Sequence, residues 1–181
     1  MKTVYKWSVD EYHQMISTGL LVSKQVELLE GEIIKMSPEG IPHSYTNDSV
    51  ADYLREKLRG LAKIKESHPI TLDNSEPEPD IAIVRLPETI YRHHHPYPED
   101  IYWLIEISNQ TLKKDLEEKA KIYARNGIRE YWVIDLVNKV LIVHTKPKGD
   151  SYTQIQKYKT GIINPLSFPD IDIALEELLL F

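Results

Sequence analysis

The 181-residue chain contains no cysteine, which excludes a disulfide framework, a thiolate nucleophile and any cysteine-ligated zinc or iron–sulfur centre. Any metal must therefore be held by Asp, Glu or His. Long apolar runs are also missing. None approaches the roughly 20 residues that a membrane-spanning helix needs. The segment Met1 to Trp7 lacks the apolar stretch of a secretory peptide, so a cytoplasmic protein with no membrane partner is expected. Cationic excess is absent too: 22 Lys and Arg face 28 Asp and Glu, a formal net charge of -6. That balance weighs against indiscriminate binding to a phosphate backbone. What remains is an ordinary globular composition, 41% hydrophobic and 28% charged, of a length that fits one domain over residues 1–181.

Ser8-Val9-Asp10-Glu11 has the form of a capping box and opens a short helix ending near Gly19. Two apolar-rich runs between Val26 and Met36 flank Glu30-Gly31, the pattern of a β-hairpin. From about His43, the residues Val50, Leu54, Leu58 and Leu61 recur at helical spacing and predict a long helix. One or two short strands are expected around Ile64 and at Ile70 to Leu72. Glu76-Pro77-Glu78-Pro79 then forces an extended approach to Asp80, which opens the buried run Ile81 to Val84. A proline-punctuated loop, Leu86 to Glu99, leads to the apolar run Ile101 to Ile105, which stops at Glu106. Leu112 to Asn126 reads as a helix closed by Gly127. Strands follow at Tyr131 to Asp135, Val140 to Thr145 and Tyr152 to Tyr158, and a last short helix from about Ala174.

Asp80 precedes one buried strand and Glu106 finishes another. If these strands are antiparallel neighbours, the two carboxylates meet at one edge of the sheet, within reach of one hard cation bound through oxygen, most simply Mg²⁺. Asp115, Lys119 and Tyr123 are spaced i, i+4, i+8, so Lys119 lies on a helix face able to look back at those strand ends. Its ammonium would offset negative charge growing on a phosphate. The competing reading makes Lys119 a surface partner of Asp115, and makes Asp80 and Glu106 ordinary polar strand ends. His93-His94-His95 invites a metal reading, but adjacent loop residues rarely converge on one ion without partners fixed elsewhere, so a solvated loop is expected. Tyr131-Trp132 is assigned to the core. Lys113, Lys114, Lys121, Arg125 and Arg129 form a cationic stretch that serves either as a phosphate-tracking surface or as the wet face of its helix.

Pro79-Asp80, Glu106-Ile107-Ser108, Asp115 to Lys119 and Tyr123-Ala124-Arg125-Asn126-Gly127 through Asp135 together resemble the Uma-type restriction endonucleases of the PD-(D/E)XK nuclease superfamily. The likeness extends to Glu27 through Ile33, Met36-Ser37-Pro38 and His43. It implies an α/β (α+β) fold: a restriction endonuclease-like core whose mixed central sheet is flanked by helices, with an N-terminal helix and β-hairpin. It further implies a Mg²⁺- or Mn²⁺-dependent DNA endonuclease, working as a homodimer. Asp80, Glu106 and the backbone carbonyl of Ile107 would be the metal ligands, and Lys119, Glu27 and His43 further catalytic residues. The chain departs from the superfamily motif at Ser108, where a lysine is expected. Lys119 is the natural substitute, with Lys113 or Lys114 as alternatives. The same departure, with the acidic net charge, motivates a second expectation: a catalytically inactive nuclease fold that binds nucleic acid or a protein.

Overall fold

A computed structural model describes residues 3–180. Ser8 caps the first helix, α1 (Val9–Ser17), in the expected reciprocal way: its hydroxyl accepts from the Glu11 N–H, and its own N–H donates to the Glu11 carboxylate at 2.8 Å. The hairpin β1 (Val26–Leu29) and β2 (Glu32–Lys35) turns on Glu30 and Gly31, both at positive φ, the conformation whose twist matches that of the strands. A side chain at Gly31 would also meet Lys6 at 2.9 Å. Helix α2 (Ile41–Lys57) starts two residues ahead of His43, helped by Pro42 in its first turn.

The central sheet has the order β3-β4-β5-β6-β7-β8. Its strands are β3 (Lys63–Glu66), β4 (Ile81–Val84), β5 (Ile101–Ser108), β6 (Glu130–Asp135), β7 (Val140–Lys148) and β8 (Ser151–Tyr158). Every neighbouring pair is antiparallel except β5 and β6, which run parallel. A parallel pair requires a crossover, and the segment from Leu112 to Arg125 supplies it. That segment is not one regular helix as expected. It runs as α3 (Leu112–Lys114), a π-helical turn (Asp115–Lys119) and α4 (Ala120–Arg125), with the Ala120 N–H reaching back five residues to the Asp115 carbonyl. Gly127 follows at φ +73, the left-handed position predicted for it.

Two further expectations are corrected. Ile70 to Leu72 forms no strand, because its N–H groups go to three different places, the carbonyls of Pro77, Pro96 and Ser75, instead of to one neighbouring strand. Strand β5 does not stop at Glu106. It continues through Ser108, paired with β6 up to Asp135. The short pair β9 (Ile162–Ile163) and β10 (Ile173–Ala174) was not anticipated, and the closing helix α5 (Leu175–Leu179) was.

Alternation along the strands divides the core in two. Trp103, Ile105 and Ile107 pack with Val50, Leu54 and Leu58 of α2 and with α5. Leu104, Tyr131 and Val133 pack on the opposite face with Ala120, Tyr123 and Ala124 of α4. Glu106 and Ser108 share the parity of Leu104, so they emerge on the α4 side, under the crossover. Tyr131 and Trp132 are fully buried, as assigned from the sequence. Among the described residues, no helix is long and apolar enough to cross a membrane.

Candidate metal and nuclease site

The register of β4 on β5 opposes Ile81 to Ile105, and one step further brings Asp80 level with Glu106. Both carboxylates line one cavity of about 620 Å³, and so do Glu27, His43, Ile107 and Lys119. All six residues singled out in the sequence are therefore brought to one place. The Ile107 N–H donates to Asp80 Oδ2 at 2.5 Å. The Ser108 carbonyl accepts from Leu136 on the β6 side, so by strand alternation the Ile107 carbonyl lies on the Asp80 edge of β5.

Glu106 is almost wholly buried and its Oε1 takes two donors, Lys119 Nζ at 2.8 Å and the Tyr123 hydroxyl at 2.7 Å. Burial pushes the Glu106 carboxyl up to about 8; Lys119 opposes that rise, and the charges of Asp80 and Asp115 add to it. At Lys119 burial disfavours the charge, but Glu106, Glu27, Asp115 and Asp80 outweigh it and hold the ammonium ionised. Lys119 thus points into the site, and not to the surface beside Asp115. Asp115 is occupied otherwise: its Oδ2 accepts from Ser108 at 2.6 Å and from Thr111 at 2.8 Å.

Glu27, buried on β1, accepts from Lys114 Nζ at 2.7 Å and stands 3.9 Å from Lys119 Nζ. Lys114 is therefore a partner of Glu27, while Lys119 is the lysine on Glu106. His43, at the start of α2, places Nε2 3.1 Å from Asp80 Oδ2 and Nδ1 3.7 Å from Glu39 Oε2. Burial works against its imidazolium, but the bond to Asp80 and the charges of Asp80, Glu39 and Glu106 prevail and raise its pKa. Sequence reasoning gave no role to Glu39 or Tyr123. The signal for Tyr123 was present, since it shares the helix face of Lys119; Glu39 showed only an i, i+4 spacing to His43.

The cationic stretch is partly spent on internal pairing, with Lys114 on Glu27 and Arg125 on Glu30, while Lys113, Lys121 and Arg129 are exposed. In the triple histidine, His94 stacks on Tyr97 and donates to the His95 carbonyl. Among the described residues, the group of His, Asp and Glu able to converge on an ion is Glu39, His43 and Asp80, and the triple histidine is outside it.

The family Uma2, described as "Putative restriction endonuclease", matches residues 9–176, and the chain belongs to this family. No curated protein matches the chain. Among solved structures, a "putative nuclease belonging to DUF820" from Anabaena variabilis has the same fold, with a TM-score of 0.68 over 96% of this chain and 97% of that one at 17% identity.

Proposed function

We propose that the chain is a divalent-metal-dependent endonuclease that hydrolyses phosphodiester bonds in DNA. The observation that carries this reading is the β4–β5 register, which sets Asp80 opposite Glu106 in one cavity with the Lys119 ammonium on Glu106.

The residues fit a hard cation. Glu27, Glu39, Glu78, Asp80, Glu106 and Asp115 line the cavity, and among the described residues lining it only Lys114 and Lys119 oppose them with permanent positive charge. Such crowding of carboxyls in a low-dielectric cleft favours uptake of positive charge, and oxygen ligands suit Mg²⁺ or Mn²⁺. Asp80, Glu106 and the Ile107 backbone carbonyl would hold it. Bound there, the cation would lower the pKa of a water and polarise a phosphoryl oxygen. The chain's own side chains supply the rest. Lys119 offsets negative charge that grows on the phosphate. Tyr123 and Lys119 together fix the orientation of Glu106, as His43 and the Ile107 N–H fix Asp80. Glu27 holds Lys114 by a hydrogen bond and adds its charge beside Lys119. The same reading takes residues 1–181 as one domain acting in the cytoplasm as a homodimer, whose two sites serve two strands.

The test is cleavage of linear, supercoiled and single-stranded DNA by the purified chain with Mg²⁺ or Mn²⁺. Activity should vanish without the cation and in Asp80→Ala and Glu106→Ala; cleavage that survives both substitutions refutes the assignment. One observation favours a catalytically idle, nucleic-acid- or protein-binding module: Ser108 stands at the motif lysine's position and is consumed by its bond to Asp115. Calorimetry separates the two, since DNA binding with no uptake of divalent cation supports the idle module.

A further inference from the structure

Six carboxyl side chains crowd the cavity described above, so it repels a polyanion until a cation fills it. A phosphate backbone must then be held from outside. The cationic stretch on the crossover is partly spent, with Lys114 on Glu27 and Arg125 on Glu30. Strand β3, at the sheet edge beside β4, carries a different set. Its register opposes Lys63 to Val84 and Lys65 to Ala82, so both lysines turn to the α4 face, while Ile64 between them joins the core on the other side. Two residues beyond Lys65, Ser67 donates its N–H to the Asp80 carbonyl and lines the Asp80 cavity. Lys65 and Lys63 therefore stand about 7 and 13 Å outward from the cavity wall along one strand.

A 3₁₀ turn, Glu88–Arg92, lies against these lysines and closes a hollow of about 270 Å³ lined by Lys63, Lys65, Glu88, Thr89, Tyr91 and Arg92. Among the described residues lining it, three permanent cations meet one carboxylate. Lys65 Nζ sits over the Tyr91 ring, 5.2 Å from its centroid, which fixes where the ammonium points. Burial and the charge of Lys63 lower the Lys65 pKa, a cost that an anion between the lysines relieves. Among the described residues, no carboxylate lies within ion-pair reach of Lys65 or Arg92. Glu88 takes Lys63 at 2.7 Å, but both side chains are about half exposed, and such a pair contributes little and yields to a phosphate. We propose that Lys63, Lys65 and Arg92 seat the phosphate backbone of a nucleic acid to one side of the bond to be cut and lead it along β3 to Asp80. The inference rests on the nuclease reading. Backbone contacts of this kind position a strand without reading its sequence.

Fluorescence anisotropy of a labelled DNA oligonucleotide on the whole chain tests this by binding alone, with Ca²⁺ in place of Mg²⁺ as an oxygen-bound cation of looser geometry. Titrations between about 50 and 200 mM salt give the slope of log affinity against log salt, which counts the phosphates contacted. Lys63→Gln, Lys65→Gln and Arg92→Gln should each reduce that slope by about 0.9 on duplex or about 0.7 on single-stranded DNA, and equally for unrelated sequences. Lys63 and Arg92 are exposed and Lys65 half-buried, so the substitutions leave the core untouched. Lys157→Gln, exposed on β8 at the opposite edge of the sheet, should leave the slope as it is. Slopes unchanged in all three variants, or reduced as much by Lys157→Gln, overturn the seat and leave the carboxylate site standing. Failure of the wild type to bind DNA at the lowest salt also overturns the seat, while the cleavage assay with Mg²⁺ decides the nuclease reading separately. Polyglutamate that displaces the oligonucleotide as well as unlabelled DNA does overturns nucleic acid as the occupant.

Discussion

Tyr123→Phe removes one oxygen atom from the centre of the site and little else. The Tyr123 ring is fully buried, packed edge-on against Tyr131 at 4.9 Å, and phenylalanine preserves that contact. What disappears is the hydroxyl that donates to Glu106 Oε1 at 2.7 Å. A hydrogen bond to a charged partner contributes about 1.5–3 kcal/mol, against about 0.5–1.5 kcal/mol for a neutral one. Two further buried tyrosines give the scale internally: Tyr131 donates to the Asp115 carbonyl at 3.1 Å and Tyr152 to the Ile128 carbonyl at 2.8 Å. Urea denaturation above about pH 8, where the Glu106 carboxyl is ionised, should therefore place Tyr123→Phe about 1.5–3 kcal/mol below the wild type, with Tyr131→Phe and Tyr152→Phe losing only about 0.5–1.5 kcal/mol each. The second readout separates function from stability. Glu106 loses one of its two donors, so Mg²⁺ affinity should fall by about tenfold or more in Tyr123→Phe and stay within twofold or so of the wild type in Tyr152→Phe, whose hydroxyl bonds far from the carboxylates. Equal stability losses in all three variants, with unchanged Mg²⁺ affinity in Tyr123→Phe, would refute the view that Tyr123 holds Glu106 in place.

Lys119→Met should cost about 3–5 kcal/mol in the same denaturation assay, because it strands the buried Glu106 carboxylate without its ammonium, and it should abolish cleavage. His144 supplies a pH signature away from the site. Burial lowers its pKa against a bond to the Tyr131 carbonyl, so the folded chain keeps it neutral while the unfolded chain protonates it near the ordinary value. The His144 contribution to stability should accordingly be lost as the pH drops below about 6.5, so in urea titrations between pH 5 and 8 the difference between the wild type and His144→Gln should shrink toward low pH; a difference that does not change with pH would count against it.

The carboxylate pair was legible because hydrophobic runs mark buried strands, and a strand of given direction fixes where its ends lie. Asp80 and Glu106 needed only the antiparallel pairing of β4 with β5, which the structure has. The limits of the helices and of β5 were harder to read. Glu106 looked like the end of a strand since a charged residue broke an apolar run. Yet the strand continues, with Glu106 and Ser108 buried, because Lys119, Tyr123 and Asp115 satisfy them from the crossover. Local sequence cannot announce a partner supplied from further along the chain. Ile70 and Leu72 misled in the opposite sense: both are buried, but as anchors of a loop whose backbone bonds go to scattered carbonyls. Glu39 was invisible for a related reason, since its relevance depends on α2 approaching the sheet from the face opposite α4.

The π-helical turn brings the ammonium of a crossover lysine onto a strand carboxylate, the placement that the proposed role of Lys119 needs. In a regular α-helix, each i+4 step drifts about 40° around the axis, so Asp115, Lys119 and Tyr123 would spread over about 80°. Only part of such an arc can face a single carboxylate. A turn closed by a bond five residues back is wider and shifts the azimuth of the residues beyond it. Here all three side chains are buried, Lys119 and Tyr123 on the same oxygen of Glu106 and Asp115 clamped by Ser108 and Thr111. The clamp accounts for Ser108: a small hydroxyl on the strand ties down the first residue of the wide turn, and the turn delivers the ammonium. A long side chain at position 108 would fill the space that Asp115 occupies and push the crossover away. The strand serine and the helix lysine are thus two parts of one hydrogen-bonded arrangement, in which Ser108 holds Asp115 and Lys119, thirteen residues beyond Glu106, holds that carboxyl.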